Sequence, residues 1–467
     1  MVPIPPTRTL TENVHGPQSV RVPRIVALAH SAGLGLILLA AAACGSSGGS
    51  GPSIDAPPAE NQPTFVLRAT PTASPNPTPT AMPSPTAEVT AEPIGTVEER
   101  IAALVPALMD EGFKVSQSNR IDELWGTLLV GIGDEILGTA TRGFANEEEA
   151  IEHSPDAVWP LVGMTDLFTV VGILQLHEQG ELDIDAPVSE LLDDFPNGDV
   201  LTLHHLLTRT SGMTELLDWQ VEPKNEPGAL AKAFEVVKAK RPGLNPGTRY
   251  SWGFQGNRSL YKESPASTEY VIARYLLEQV SGQSFEEYVV GHIFEPAGME
   301  TAFFASPKEV ESMPVGYWAD EWTQTGTTIS VATGLSLENP DDLLSPIDDG
   351  KLAWGTTADM FRWYRALVNG EYVSEQMLDR MFEPTVDLSY DLRTGHAAYG
   401  WIVQTGRDRD AAWFSFVRAG FGAEIQVDRK RDITAVLFIN RDNYSVNARA
   451  WFTGRVVLKV AQELEAR

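Results

Sequence analysis

The sequence predicts an α+β fold of two lobes: an antiparallel sheet formed by N- and C-terminal strands and flanked by helices, and a mainly helical lobe. Three observations carry this. The alternating run "WGTLLVGIGDEILGTATRGF" (125–144) breaks at Gly133-Asp134, as a hairpin does. A second run, "AEIQVDRKRDITAVLFINR" (423–441), breaks at Arg429 to Asp432. Between these pairs apolar residues recur at helical spacing over 164–181, 269–281 and 355–369, and outside them over 97–112 and 446–465. Hairpin-joined strands pair antiparallel, so strands from near both ends of the domain are expected to share one sheet.

Taken in order, the chain opens on a targeting segment. Arg21 and Arg24 precede the uncharged run "IVALAHSAGLGLILLAAAAC", which ends at Cys44 and is followed by "GSSGGSGPS". A basic flank, an apolar stretch and small residues describe a secretory signal over 1–44. Ala41-Ala42-Ala43-Cys44 resembles a bacterial lipobox, with alanine where leucine is usual three residues before the cysteine. That resemblance implies a diacylated Cys44 and an exported chain held on the extracytoplasmic face of the cell membrane. The alternative is an uncleaved span, which takes about 20 residues. Residues 45–94 contain "TPTASPNPTPTAMPSPTAEVTAEP", poor in large apolar residues. Such a stretch cannot offset its ordering entropy and is expected to be a disordered, extended linker. The folded domain is expected over 95–467. In it, "WPLVGMTDLFTVVGILQLHEQGELDIDAPVSELL" (159–192) reads as a strand end, a turn, a buried helix and a solvent loop.

Composition narrows the function. The chain has 467 residues, 43% of them hydrophobic, enough for a large core, and its net charge is −28. An acidic chain without a basic face does not suit nucleic acid. The single cysteine, Cys44, rules out an intrachain disulfide and thiol catalysis in the domain. His204 and His205 are adjacent, and His153, His177, His292 and His396 are scattered, so no metal site and no cofactor are expected.

Several segments together resemble the serine β-lactamase and penicillin-binding family, in its class C-like and esterase-like branch. "LTLHHLLTRTSGM" (201–213) is similar to the family's "iTlrhLLtHtSGl"; "QLHEQGELDIDAPVSELLDDFP" is similar to its "L…GkLdLddPv…ylP". "NPGTRYS" (245–251), "YLLEQVSGQSFEEYVVGHIFEPAGMETAFF" (275–304), "WGTTADMFRWYRALVNGE" (354–371) and "YGWIVQ" (399–404) extend the likeness over nearly all of 97–467. The resemblance implies a β-lactamase-like two-lobed fold. It also implies a serine nucleophile in a Ser-x-x-Lys motif opening a core helix, a Tyr-x-Asn motif, a Lys/His-x-Gly motif on an edge strand, and a backbone oxyanion hole.

The family's catalytic positions carry other residues here. "LVGMTDLFT" puts Gly163 at the nucleophile position and Asp166 at the lysine position. Gly163 has no side chain to attack with, and an acid in a first helical turn suits the helix dipole by about 0.3–1 kcal/mol. Thr165 lies about 200° round the helix from Gly163 and is expected to point away. Counting back from Tyr270, the Tyr-x-Asn motif falls on Pro265-Ala266-Ser267; counting forward from "PGTRYS" it falls on Trp252-Gly253-Phe254. Through Gly420-Phe421, Phe414 stands where Lys or His belongs and Phe416 where Gly belongs. Ser259 and Lys262 fit Ser-x-x-Lys, but in an apparent insertion that opens no apolar helix; "RTG" (393–395) resembles Lys-Thr-Gly ahead of the wrong segment. No catalytic residue is therefore expected. The expectation is an exported, lipid-anchored pseudoenzyme with a binding or scaffolding role at the cell envelope, its membrane contact made through the lipid and its ligand a cell-wall component or small molecule. The alternative is a serine hydrolase, acting as an esterase, amidase or β-lactamase/peptidase through a rearranged site.

Overall fold

The computed structural model describes residues 95–118, 124–216, 220–223, 225–250, 268–318, 323–325, 328–330, 335–336, 339–388, 395–406, 410–442 and 446–466. The expected signal with Cys44, the linker, Trp252 to Phe254, Ser259, Lys262, Pro265, Ser267, Arg393 and Thr394 lie outside the described residues.

In chain order, α1 (Val97–Ser118) leads into the hairpin of β1 (Gly126–Ile132) and β2 (Glu135–Arg142). A short β3 (Trp159–Pro160) runs into α2 (Thr165–Glu178). The helical lobe contributes α3 (Leu203–Leu207), α4 (Ala229–Lys238) and α5 (Thr268–Ser281). Then follow β4 (Phe303–Ala305), β5 (Leu352–Gly355), α6 (Thr357–Val368) and α7 (Glu375–Met381). The chain ends with β6 (His396–Ala397), β7 (Ile402–Thr405), β8 (Asp410–Arg418), β9 (Phe421–Asp428), β10 (Ile433–Ile439) and α8 (Val446–Glu465).

The main sheet has the order β6-β7-β8-β9-β10-β1-β2 and is antiparallel. Its N-terminal hairpin joins the C-terminal one along the β1–β10 seam, with Ile132 opposite Ile433 and Val130 opposite Ala435. Strand alternation divides the core. Leu128 and Val130 face α1 and α8, packing with Ile101, Val105, Val456 and Val460. Leu129 faces the other way, into the large core around α2.

That core explains α2. Leu167, Phe168, Val170, Val171, Ile173 and Leu174 put apolar groups on every side, the composition of a helix with no solvent face. Gly172 lets it lie against α5: a Cβ there would fall inside 3.0 Å of Leu277 Cδ1. A small sheet of β3, β5 and β4 fixes the approach to α2. α6 starts where Thr356 and Asp359 form a reciprocal capping box.

The two hairpins fall where the sequence places them, as does α2. α1 differs by running on to Ser118 through Pro106, because the apolar stripe marks the buried face and not the helix length. The short α7 and β7 carry too few residues for a legible period.

Candidate functional site

The head of α2 is shaped by the turn between it and β3. Gly163 adopts φ +69°, the left-handed region that costs a glycine little. Its carbonyl accepts the Asp166 N–H at 3.0 Å, and the Met164 carbonyl accepts that of Leu167. The turn thus feeds directly into the helix, without a side-chain cap.

Facing this turn is β8. Phe414 and Phe416, two residues apart, share one face of the strand, opposite Ile425 and Ala423 of β9. Phe414 is buried in the core and Phe416 packs against it, half-buried. The Phe416 ring lies on Gly163. A Cβ built on Gly163 would sit well inside 3.0 Å of Phe416 Cγ, Cδ1 and Cδ2. These are the root and shoulders of the ring, which cannot swing aside as a flexible tip can.

Arg418, next along that face, is buried and holds β8 to the helical lobe. Its Nε donates to the Leu343 carbonyl at 2.6 Å, and its Nη2 to that of Leu344.

In the first turn of α2, Asp166 is buried, and burial pushes its carboxyl up to about 7. Arg274 and Arg209 favour its charge, while Asp348 and Glu269 oppose it. No hydrogen bond reaches its carboxylate among the described residues. Arg274 is partly engaged elsewhere: Nη1 donates to the Ile347 carbonyl at 2.8 Å, Nε to Thr169 Oγ1 at 3.4 Å, and the guanidinium stacks 3.7 Å from the Phe285 ring centre, while its buried Nη2 has no partner. Thr165 is buried.

With this architecture in view, the match to known proteins is decisive. Residues 118–458 fit the family model described as Beta-lactamase. The chain belongs to the beta-lactamase family.

Among relatives of this beta-lactamase-family chain is PbpX of Bacillus subtilis, named for penicillin binding. It is 29% identical over 287 residues, 61% of this chain and 65% of that protein, so the matched stretch spans less than two thirds of the relative's length. The solved penicillin binding protein of Bacillus halodurans shares the fold with TM-score 0.59 and 22% identity, covering 74% of this chain and 98% of that one. A D-amino acid amidase from Ochrobactrum anthropi SV3 does so with TM-score 0.58 and 16% identity, covering 79% and 98%.

The beta-lactamase-family positions singled out by sequence thus meet in part. Gly163 and Phe416 meet, with Phe414 on the same strand face and Asp166 in the first turn of α2, while Pro265 and Ser267 lie outside the described residues. β8, expected at an edge, is paired with β7 only from Asp410 to Trp413; Phe414 to Arg418 extend beyond that pairing. His204 and His205 face apart, His204 Nδ1 meeting the Tyr399 hydroxyl at 2.7 Å and His205 Nδ1 meeting Thr202 Oγ1 at 2.9 Å. Among the described residues no group of acids, histidines and cysteines is set to hold a metal.

Two features were not legible. Arg418 gave no motif, because its partners are backbone carbonyls remote in sequence. A groove of about 940 Å³ lies at the other end of α2, beside His177, Met377, Phe382 and Arg429, and no local pattern joins these residues.

Proposed function

We propose that this beta-lactamase-family protein is a pseudoenzyme: exported, anchored through a lipid on Cys44, and serving a binding or scaffolding role at the cell envelope. The observation that carries the reading is the Phe416 ring on Gly163. A nucleophile would stand at Gly163, and an acyl substrate would lie against the strand beside it. A ring in contact with that backbone leaves room for neither. The buried Asp166, a carboxylate where the family's lysine is expected, supports the same reading. The leader supports the location: Arg21 and Arg24, an apolar run and Cys44 stand in the order of a lipoprotein signal.

The test is exposure of the full chain to a fluorescent penicillin and to a panel of chromogenic esters and D-amino acid amides. No stable acylation and no turnover are expected. A covalent adduct, or turnover lost in Ser259→Ala, would overturn the reading in favour of a hydrolase with a rearranged site. For the anchor, labelled fatty acid is expected to enter the wild type and not Cys44→Ser; equal labelling of both would remove it.

A further inference from the structure

The groove at the far end of α2 stands apart from the site at Gly163. The helix is 14 residues long, so about 20 Å of it separate the two. Last-turn residues of α2, α7 with the turn after it, and the ends of β7, β8 and β9 form its walls, and its volume is about 940 Å³. That lies toward the upper end of the roughly 300–1,000 Å³ usual for ligand clefts.

Its floor is apolar. Met377 and Phe382 are buried there, and the Arg429 guanidinium stacks 4.3 Å from the centre of the Phe382 ring. The charge of Arg429 is met on the spot: Nη1 lies 3.5 Å from Asp410 Oδ1, and the Arg429 N–H donates to the Asp410 carbonyl at 2.8 Å. His177 Nδ1 is engaged with the Leu182 carbonyl at 3.3 Å and lies 3.8 Å from the Asp183 carboxylate.

The rim is acidic and lacks matching cations. Glu178, Asp379 and Glu383 are exposed on it. Arg380, the second lining arginine, is ion-paired with Asp185. Glu178 accepts from the Ser374 N–H and hydroxyl, both neutral donors. Asp379 and Glu383 make no side-chain hydrogen bond or ion pair among the described residues. Of four lining acids, only Asp410 has a lining arginine as partner, so three carboxylates are left without a cation. The C-terminal, partly negative end of α2 adds to the same field. Arg407, Asp408 and Arg409, which follow Gly406 and lie outside the described residues, carry one net positive charge against those three.

We propose that this groove docks a basic peptide segment of a partner protein, with lysine or arginine stems lying on Met377 and Phe382 and the charged heads reaching Glu178, Asp379 and Glu383. A lone ammonium would be met by one carboxylate. Three carboxylates, drawn from α2 and from α7 with its following turn, beside an apolar floor, suit a chain bearing several cations on long hydrocarbon stems. The net charge of −28 draws such a segment in from a distance, and the groove gives it a place to seat. This supplies a partner class for the binding role proposed above and rests on that role alone; it holds whether or not the site at Gly163 is inert.

The experiment is fluorescence anisotropy of a short fluorescein-labelled peptide of alternating lysine and leucine, titrated with the full chain at low and at high salt. Saturable one-to-one binding that weakens as salt screens the charges is expected. Asp379→Asn with Glu383→Gln should weaken it about tenfold. Glu149→Gln with Glu152→Gln removes the same charge from exposed positions outside the groove and should change it less than about twofold. Absence of saturable binding would overturn the proposal. So would equal losses in the two double variants, which would mean a general attraction to an acidic surface. Carbodiimide coupling of the bound peptide, located by mass spectrometry, should fall on Glu178, Asp379 and Glu383; coupling scattered over the surface acids would refute the groove as the seat. These readouts involve neither acylation nor turnover, so docking and the loss of catalysis can fail separately.

Discussion

Replacing Gly163 with alanine tests the contact on which the reading of the site turns. Two costs are separable. At φ +69° an L-residue pays about 1–2 kcal/mol for its Cβ against the following carbonyl. The added methyl also falls inside the Phe416 ring, an overpacking that costs about 1–3 kcal/mol. Against these, the narrower unfolded ensemble of alanine returns less than about 1 kcal/mol. Gly163→Ala should therefore destabilise the domain by about 2–4 kcal/mol. Phe416→Ala removes a half-buried ring and should cost about 1–3 kcal/mol, less than a fully buried phenylalanine. In the double variant the overlap vanishes and only the backbone strain remains. The two changes should then cost about 1–3 kcal/mol less together than the sum of each alone. Urea unfolding of the four proteins, followed by far-ultraviolet circular dichroism, measures the cycle. Additivity within about 0.5 kcal/mol would mean the ring does not rest on Gly163, and the site would have to be reconsidered as open.

Other consequences are as specific. Arg418→Met keeps the stem but strips the donors from the Leu343 and Leu344 carbonyls; a loss of about 3 kcal/mol is expected in thermal unfolding, and less than 1 would deny Arg418 its joining role. His153 stacks 4.9 Å from Trp159 and donates Nε2–H to Asn440 Oδ1, since Asn440 Nδ2 already donates to the Phe144 and Val315 carbonyls. Burial holds it down at about 4, so below pH 6.5 the unfolded chain takes a proton that the folded one refuses. Stability should therefore fall by about 3 kcal/mol from pH 6.5 to 4, and His153→Phe should flatten that acid limb; an unaltered limb would place the titration elsewhere. Finally, Gly163→Ser with Asp166→Lys is expected to produce no β-lactam hydrolysis, because the new side chain meets the Phe416 ring and groups that act as a unit do not add. Measurable hydrolysis by that pair would refute the steric argument.

How much of this was legible depends on how local the signal is. The hairpins at Gly133-Asp134 and Arg429 to Asp432 were, because alternation and turn chemistry lie within a few residues. α2 was, because a run apolar on all sides can only be interior. That Gly163 and Asp166 head α2 followed from the family spacing, and so did the pairing of Phe414 and Phe416 on one strand. Missing from any local reading was the touch between them. Gly163 and Phe416 are far apart in sequence, and nothing in "LVGMTDLF" specifies a left-handed glycine under a ring. The burial of Asp166 was hidden for a related reason: a helix-start acid is usually solvated, and only the parallel packing of α5 encloses this one.

Those two long-range facts change what the site is. A disabled catalytic centre could keep its cavity, with inert residues lining an open groove. Here Gly163 and Phe416 fit one another. A side chain at Gly163 is incompatible with the Phe416 ring, and a glycine at 416 would leave Gly163 facing a gap beside the buried Phe414. Interiors are packed to the density of organic crystals, so such a gap would cost stability while a ring fills it. Arg418, two residues on from Phe416, clamps the strand to Leu343 and Leu344 and keeps the ring in place. The junction between the sheet and the helical lobe is built as core, and on the proposed reading an acyl-transfer site at Gly163 would first require that core to be emptied.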